Sequence, residues 1–270
     1  MKKSRKSKKR GFKLGFTALV IPIALIVAII VFQFIMGNPE NFQGNNHDNS
    51  ALPGNYYGII YKGGIIVPIL MTLLLIVFTF IVERIIAISK GTGKGDVTEF
   101  VQDVKELLEK NDVEGAMVVC DQQKGSVANV VRSVLVKYKQ LENDKTLLKD
   151  QKLTALQKEV EEATSLELPA LEQNLGILAT ITSLGTLMGL LGTVLGMIRA
   201  FGALANAGAP DSVALAQGIS EALVNTAFGI GTAALALIFY NTFTTRIDKL
   251  TYSIDEAGFS LVQSYATNHS

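Results

Sequence analysis

Four long apolar segments divide this sequence, with polar and charged stretches between them. A helix needs about 20 mostly apolar residues to cross the hydrocarbon core of a bilayer. Each of the four segments meets that length, so each predicts a membrane-spanning helix. The predicted spans cover residues 14–36, 62–82, 176–202 and 213–243. The fold class that follows is an all-α integral membrane protein.

Lysine and arginine are distributed unevenly around these spans. Eight of them lie within residues 1–13, whereas residues 37–61 and 203–212 contain none. Because loops rich in Lys and Arg stay in the cytoplasm, we expect both termini there and both Lys/Arg-free loops on the far side. The predicted segments are a basic cytoplasmic tail (1–13), an extra N-terminal span (14–36), an outer loop (37–61), a span (62–82), a cytoplasmic helical domain (83–175), a span (176–202), a second outer loop (203–212), a span (213–243) and a cytoplasmic C-terminal helix or tail (244–270).

The segment 14–36 has two interpretations. A basic N-terminus followed by an apolar core is typical of a secretory signal peptide. The apolar core here is longer than the about 7–15 residues of such a peptide, and no small-x-small cleavage site follows it. We therefore expect a retained span.

The cytoplasmic segment 83–175 shows helical periodicity. Apolar residues at three- and four-residue spacing predict an amphipathic helix. Gly125-Ser126 indicates a junction to a second helix, and a third helix is expected to continue directly into the span at 176–202, with Pro169 as a kink or boundary. The apolar stripe of the first helix consists of Val97, Phe100, Val101, Val104, Leu107 and Leu108.

The composition disfavours an enzyme, a metalloprotein and a nucleic-acid-binding protein. The 270 residues include one cysteine, two histidines, and 25 basic against 24 acidic side chains. The glycine-rich Lys90–Val97 segment lacks the spacing of a phosphate-binding loop. Cys120 has no histidine nearby in the sequence and is expected in a helical core rather than as a nucleophile. We expect no cofactor, no metal and no nucleic-acid partner.

The third predicted span has a small, polar face and a bulky aliphatic face. At 100° per residue, threonines and glycines fall together, opposite the leucines. Glycines four residues apart permit close backbone approach between membrane helices. This face either packs dry against another helix or borders water, and the spacing alone leaves both possibilities open. Its residues are Thr182, Gly185, Thr186, Gly189, Gly192, Thr193 and Gly196.

The fourth predicted span carries a carboxylate inside its apolar run. Glu221, Asn225 and Thr232 share one side of this helix, bordered by Gly229, while Thr226 lies toward the edge. An ionisable residue within a span is costly in lipid, so it indicates a functional site by default. It could face an aqueous lumen, bind a proton, contact a partner chain, or simply reach interfacial water. Arg199 is expected to extend to the outer surface, and it is the one basic residue in the nearby spans that could neutralise Glu221.

Two motifs in these spans carry a family resemblance. GLLGTV-x-GM lies within residues 187–201, and GI-x-EAL-x-x-TA-x-G lies within residues 215–241. The pair resembles the signatures of the MotA/TolQ/ExbB proton-channel family, most closely its ExbB branch, and the resemblance covers about residues 60–250. The extra N-terminal span departs from the family's pattern, as do Thr186, where the family has proline, and Asn225, where it has a small apolar residue.

The resemblance implies a homopentamer around a central pore in a bacterial inner membrane, with the outer loops in the periplasm. It also implies an ExbD-like single-span partner inside the pore, whose aspartate carries the proton, and a TonB-like protein that energises transport across the outer membrane. It places Thr193, Thr226 and Glu221 at the pore, and we extend the expected proton pathway to Asn225, Thr186 and Thr182. Gly185, Gly189, Gly192, Gly196 and Gly229 are expected to pack helices.

Three alternatives remain open at this point. The chain could be a TolQ-like subunit for envelope integrity or a MotA-like stator for motility. It could also be a non-conducting scaffold whose glycine faces only pack helices. The imported substrate and the number of partner chains are left open by the sequence.

Overall fold

The computed structural model describes residues 10–47, 49–205 and 211–268, with side chains from Ala18 onward. Residues 1–9 of the predicted basic tail, residues 206–210 of the second outer loop and residues 269–270 lie outside this description. The regular elements in the described ranges are helical. They are α1 (Arg10–Ile30), a π-helical turn (Val31–Met36), short 3-10 turns (Pro39–Asn41, Gln43–Asn45), α2 (Tyr56–Tyr61), α3 (Ile66–Thr92), α4 (Val97–Glu109), α5 (Val113–Gln123), α6 (Gly125–Asn143), α7 (Lys149–Glu172), α8 (Leu175–Leu204) and α9 (Ser212–Asn268).

Four helical stretches are long and apolar enough to cross a membrane, judged by length and composition. They include Ala18–Met36 and the apolar parts of α3, α8 and α9, which confirms the all-α, four-span part of the predicted fold class. The last helix differs in length from its predicted span, because α9 continues for 57 residues without interruption.

Two compact units make up the fold. One combines Met1–Ile81 with Gly176–Phe239, and the other combines Val82–Leu175 with Tyr240–Ser270. The first holds the apolar parts of the four span candidates. The second holds α4 to α7 together with the C-terminal part of α9.

The N-terminal helix of the first unit is packed against α3. Ala28 and Met36 form a buried cluster with Val67 and Met71 of α3. The end of the π-helical turn is capped by the Asn41 side chain, whose Nδ2 donates to the carbonyl oxygens of residues 35 and 36 at 2.8 and 3.0 Å. Carbonyls at a helix end otherwise lack partners, so this cap holds the following loop against the helix.

The core of the second unit is formed from amphipathic helices. Five of the six residues in the predicted α4 stripe are buried, and only Leu107 is half-buried. Tyr138 of α6 and Tyr265 of α9 meet edge to face, with their ring centroids 4.7 Å apart. Such aromatic pairs favour this geometry because the positive ring edge meets the negative ring face.

The helix junctions agree with the sequence in one place and differ in another. The α5–α6 junction lies at Lys124 and Gly125, whose φ angles are +60° and +82°. The expectation that the third cytoplasmic helix continues directly into the next span is wrong, because α7 ends at Glu172 and α8 begins at Leu175. Pro169 lies within α7, and the break comes at Asn174, with φ +67°. Asparagine is one of the few non-glycine residues that adopt this left-handed conformation.

Cys120 provides a test of the α4–α6 packing. Its side chain is buried, and burial raises the pKa of the thiol to about 12. Because the thiolate is the reactive form, the folded chain should react with a maleimide at pH 8 at least about 100-fold more slowly than the unfolded chain. The measurement is mass spectrometry of maleimide labelling with and without denaturant, and the single cysteine makes it unambiguous. Equal rates in both conditions would show that this core is open.

Candidate functional site

The small residues of α8 and α9 bring the two helix backbones into contact. A β-carbon placed on Gly189 would lie 3.1 Å from the Gly229 Cα, and one on Gly196 would lie 2.7 Å from the Gly218 carbonyl oxygen. These distances leave no room for a side chain on either glycine. The buried glycines on this contact are Gly185, Gly189, Gly192 and Gly196 of α8 with Gly218 and Gly229 of α9.

Two threonine hydroxyls meet between these two helices. Thr193 Oγ1 and Thr226 Oγ1 are hydrogen-bonded to each other, and either can be the donor. The Thr226 hydroxyl also lies 3.0 Å from the Ala222 carbonyl oxygen, while Thr193 lies 3.2 Å from that of Gly189. Each hydroxyl has one proton to donate and can accept two bonds, so the pair can exchange donor and acceptor roles. Both side chains are half-buried.

Glu221 is ion-paired with an arginine of the neighbouring helix. Arg199 Nη1 lies 2.7 Å from both Glu221 carboxylate oxygens. The Glu221 side chain is 6% exposed, whereas that of Arg199 is 57% exposed. Arg199 thus reaches the surface, as expected, and also forms an ion pair with Glu221, the second possibility that the sequence left open. A buried carboxylate is costly without a counter-charge, and Arg199 supplies one.

Asn225 is fully buried and contacts the turn before α3. Its Nδ2 donates to the Gly63 carbonyl oxygen at 2.8 Å. Asn225 Oδ1 and Thr232 Oγ1 are buried without a hydrogen-bond partner among the described residues. The asparagine that departs from the family pattern thus connects α9 to the chain segment that leads into α3.

The remaining predicted pathway residues lie apart from these contacts. Thr182 is half-buried, with its hydroxyl 2.6 Å from the Ala179 carbonyl oxygen of its own helix. Thr186 is exposed, with its hydroxyl 3.2 Å from the Thr182 carbonyl oxygen. The structure brings together Thr193 with Thr226 and Glu221 with Arg199. It does not place all six predicted residues on one surface of the chain.

A polar cavity of about 340 Å³ adjoins the ion pair. Tyr61, Lys62 and Gly64, from the segment between α2 and α3, line it together with Arg199, Gln217 and Glu221. Sequence analysis did not identify Tyr61, Lys62, Gly63 or Gly64 as site residues. The one available signal was the Gly-Gly pair directly before an apolar span, which is typical of a tight turn.

A comparison with known proteins shows that part of this chain matches a protein family. Residues 128–256 match a family described as the MotA/TolQ/ExbB proton channel family. A segment of 86 residues is 41% identical to an ExbB-like biopolymer transport protein of Synechocystis, covering 31% of this chain and 41% of that protein. A segment of 88 residues is 38% identical to the Tol-Pal system protein TolQ of Haemophilus influenzae, covering 33% of this chain and 39% of that protein.

A longer match reaches further along the chain. Over 204 residues it is 26% identical to an ExbB homologue of Methanothermobacter thermautotrophicus, covering 72% of this chain and 66% of that protein. The matches to the Synechocystis and Haemophilus proteins span about two fifths of those relatives. Both sequence motifs, the threonine pair and the Arg199–Glu221 pair all fall inside residues 128–256. Residues 128–256 of this chain therefore match the MotA/TolQ/ExbB proton channel family.

Proposed function

We propose that this chain is an ExbB-like proton-channel subunit of an inner-membrane motor. The observation that carries the proposal is the hydrogen-bonded Thr193–Thr226 pair, held between two apolar helices within the family segment. With an ExbD-like single-span partner and a TonB-like protein, the subunit uses the proton motive force to energise transport across the outer membrane. Five copies surround a central pore that holds the partner helix.

The need for a partner follows from the proton-carrying groups. A hydroxyl pair relays a proton by accepting one and donating another, but it does not store charge. Glu221 is ion-paired with Arg199 and lies five residues before Thr226 along α9, so this carboxylate is not placed beside the hydroxyl pair. An acidic residue on the partner helix supplies the missing titratable group beside Thr193 and Thr226. Thr182 and Thr186 continue the polar face along α8, with Asn225 and Glu221 behind the threonine pair.

The exposed surface of α8 supports assembly within a bilayer. Large apolar side chains at three- and four-residue spacing cover it and suit either lipid or another copy of the chain. In the proposed topology both termini are cytoplasmic, with residues 83–175 and 244–270 in the cytoplasm and residues 37–61 and 203–212 in the periplasm. The exposed large apolar residues of α8 include Leu184, Leu187, Leu191, Val194 and Ile198.

A TolQ-like subunit for envelope integrity is the second candidate. It is favoured by the TolQ relative, whose 38% identity over 88 residues is close to that of the ExbB-like relative. A deletion strain separates the two candidates. Loss of energised uptake with an intact envelope supports the ExbB-like output, whereas detergent sensitivity with normal uptake supports the TolQ-like output.

Thr193→Val tests the proposed conduit. Valine has almost the same shape but no hydroxyl, so it removes the relay while preserving the packing. We expect proton flux into vesicles containing this chain and its ExbD-like partner to fall about 100-fold, the lower end of the range for a positioned proton-transfer group. The measurement is the decay of a pH-sensitive dye signal under an imposed potential.

Thr180→Val is the matched control for this experiment. Thr180 lies on the same helix, is exposed, and bonds only to its own helix through the Gly176 carbonyl oxygen at 2.7 Å. Its replacement should leave the flux unchanged. Wild-type flux in Thr193→Val, or no wild-type flux with the partner present, would contradict the proposal.

A further inference from the structure

The Glu221 carboxylate is enclosed by a turn as well as by its ion pair. Gly64 has φ +77°, and a β-carbon on it would lie 2.5 Å from Glu221 Oε1 and 3.3 Å from Arg199 Nη1. The backbone of the segment between α2 and α3 therefore covers the ion pair at a distance that only glycine permits. Three parts of the first unit, namely this turn, α8 and α9, meet at one carboxylate.

The two partners of the pair differ in how freely they can separate. Glu221 is almost entirely buried, whereas more than half of the Arg199 side chain is exposed. Within the described residues, the hydrogen bonds of the guanidinium go to Glu221 alone. Arg199 can thus leave the carboxylate by a side-chain rotation into water, without separating the two helices.

Among the described residues that line this cavity, the charged groups other than Glu221 are the cations Lys62 and Arg199. From the segment before α3, Tyr61 and Lys62 face the same cavity, and from α8 Arg199 does so. α9 itself adds the uncharged Gln217. Among the residues described around this cavity, Glu221 is the one carboxylate.

The ion pair lies at one end of the threonine pair. Arg199 follows Thr193 by six residues on α8, and Glu221 precedes Thr226 by five residues on α9. At 1.5 Å per residue, the displacements are about 9 Å along α8 and about 7.5 Å along α9. The two helices run in opposite directions, so both displacements point toward the C-terminal end of α8 and the N-terminal end of α9. The ion pair stands between these helix ends and the threonine hydroxyls.

We propose that Arg199 is a proton-released latch on the path to Thr193 and Thr226. This inference rests on the proposed function. With Glu221 ionised, the ion pair closes the end of the path nearest the C-terminal end of α8. One proton binding to the carboxylate abolishes the attraction, and the guanidinium, still protonated, moves to water. The neutral carboxyl then passes its proton inward, and the restored carboxylate recaptures Arg199.

The proposed latch predicts that the reactivity of the Glu221 carboxyl group toward a carbodiimide depends on Arg199. N,N′-Dicyclohexylcarbodiimide attacks protonated carboxyl groups in apolar surroundings, and mass spectrometry locates the product. In the purified full chain at pH 7.5, Arg199→Gln should increase labelling of Glu221 about tenfold, because the carboxyl group is then no longer held in the ion pair. Arg199→Lys keeps the charge and should stay within about threefold of the wild type. Equal labelling of the wild type and Arg199→Gln would overturn the latch.

The second measurement is proton flux through the complex with the ExbD-like partner, recorded at several pH values. Wild-type flux should rise as the pH on the outer side falls, whereas Arg199→Gln should conduct with a flatter pH profile. The charge reversal Arg199→Glu/Glu221→Arg restores an ion pair and should restore closure at high pH. A variant that changes only thermal stability, with an unchanged pH profile, would show a purely structural role. No wild-type flux overturns the proposed function, and wild-type flux with identical profiles overturns the latch alone.

Discussion

Replacing Gly229 with leucine is expected to lower the free energy of unfolding by about 3 kcal/mol, at the upper end of the usual cost of overpacking. A β-carbon at this position would lie 2.6 Å from the Gly185 carbonyl oxygen and 2.7 Å from the Gly189 Cα. Both neighbours are backbone atoms, which cannot move aside as a flexible side chain can. α8 and α9 must separate, and the Thr193–Thr226 hydrogen bond must break with them.

Gly231 provides a matched control on the same helix. A β-carbon there would meet no atom within 4 Å, so Gly231→Leu adds an exposed side chain without a clash. The two variants can be compared by unfolding in mixed detergent micelles, followed by circular dichroism. We expect Gly231→Leu to differ from the wild type by less than about 0.5 kcal/mol. Equal free energies of unfolding for Gly229→Leu and Gly231→Leu would show that α8 and α9 are not in contact at Gly229.

The helical periodicity of the sequence was sufficient to predict the faces of α8 and α9. Thr193 and the glycines share one side of their helix, and Thr226 borders the polar side of its own. Because small residues let backbones approach, the pattern permitted close packing of this face but left open whether it meets another helix or water. The hydrogen bond between the two hydroxyls required the structure, since a helical wheel gives directions around one axis and not the offset between two helices.

Contacts between distant segments could not be read from periodicity. Asn225 donates to Gly63, which is 162 residues away, and no local pattern connects the two. The Arg199–Glu221 pair spans only 22 residues, but Arg199 near the end of a span could equally extend to water. The break at Asn174 was missed because Pro169 was the stronger helix-breaking signal, and α7 continues past it.

Replacing Arg84 with leucine is expected to cost about 3 kcal/mol of folding free energy, the lower end of the range for breaking a buried ion pair. The Arg84 side chain is 1% exposed, and its Nε and Nη2 each donate to a Glu83 carboxylate oxygen at 2.5 Å. Its Nη1 donates to the Leu171 carbonyl oxygen at 2.9 Å, in the last turn of α7. The variant leaves that carbonyl without its donor and Glu83 without its counter-charge.

Arg132→Leu is the matched control for Arg84→Leu, because Arg132 also forms an arginine–carboxylate ion pair, but at the surface. Arg132 and Asp121 lie 2.7 Å apart, with side chains 49% and 59% exposed, so its removal should cost less than about 1 kcal/mol. In a double-mutant cycle, Glu83→Leu should cost less in the Arg84→Leu background than in the wild type, because it removes the carboxylate left unpaired. Strictly additive effects, or equal losses for Arg84→Leu and Arg132→Leu, would mean that Arg84 is solvated and that α7 ends without this bond.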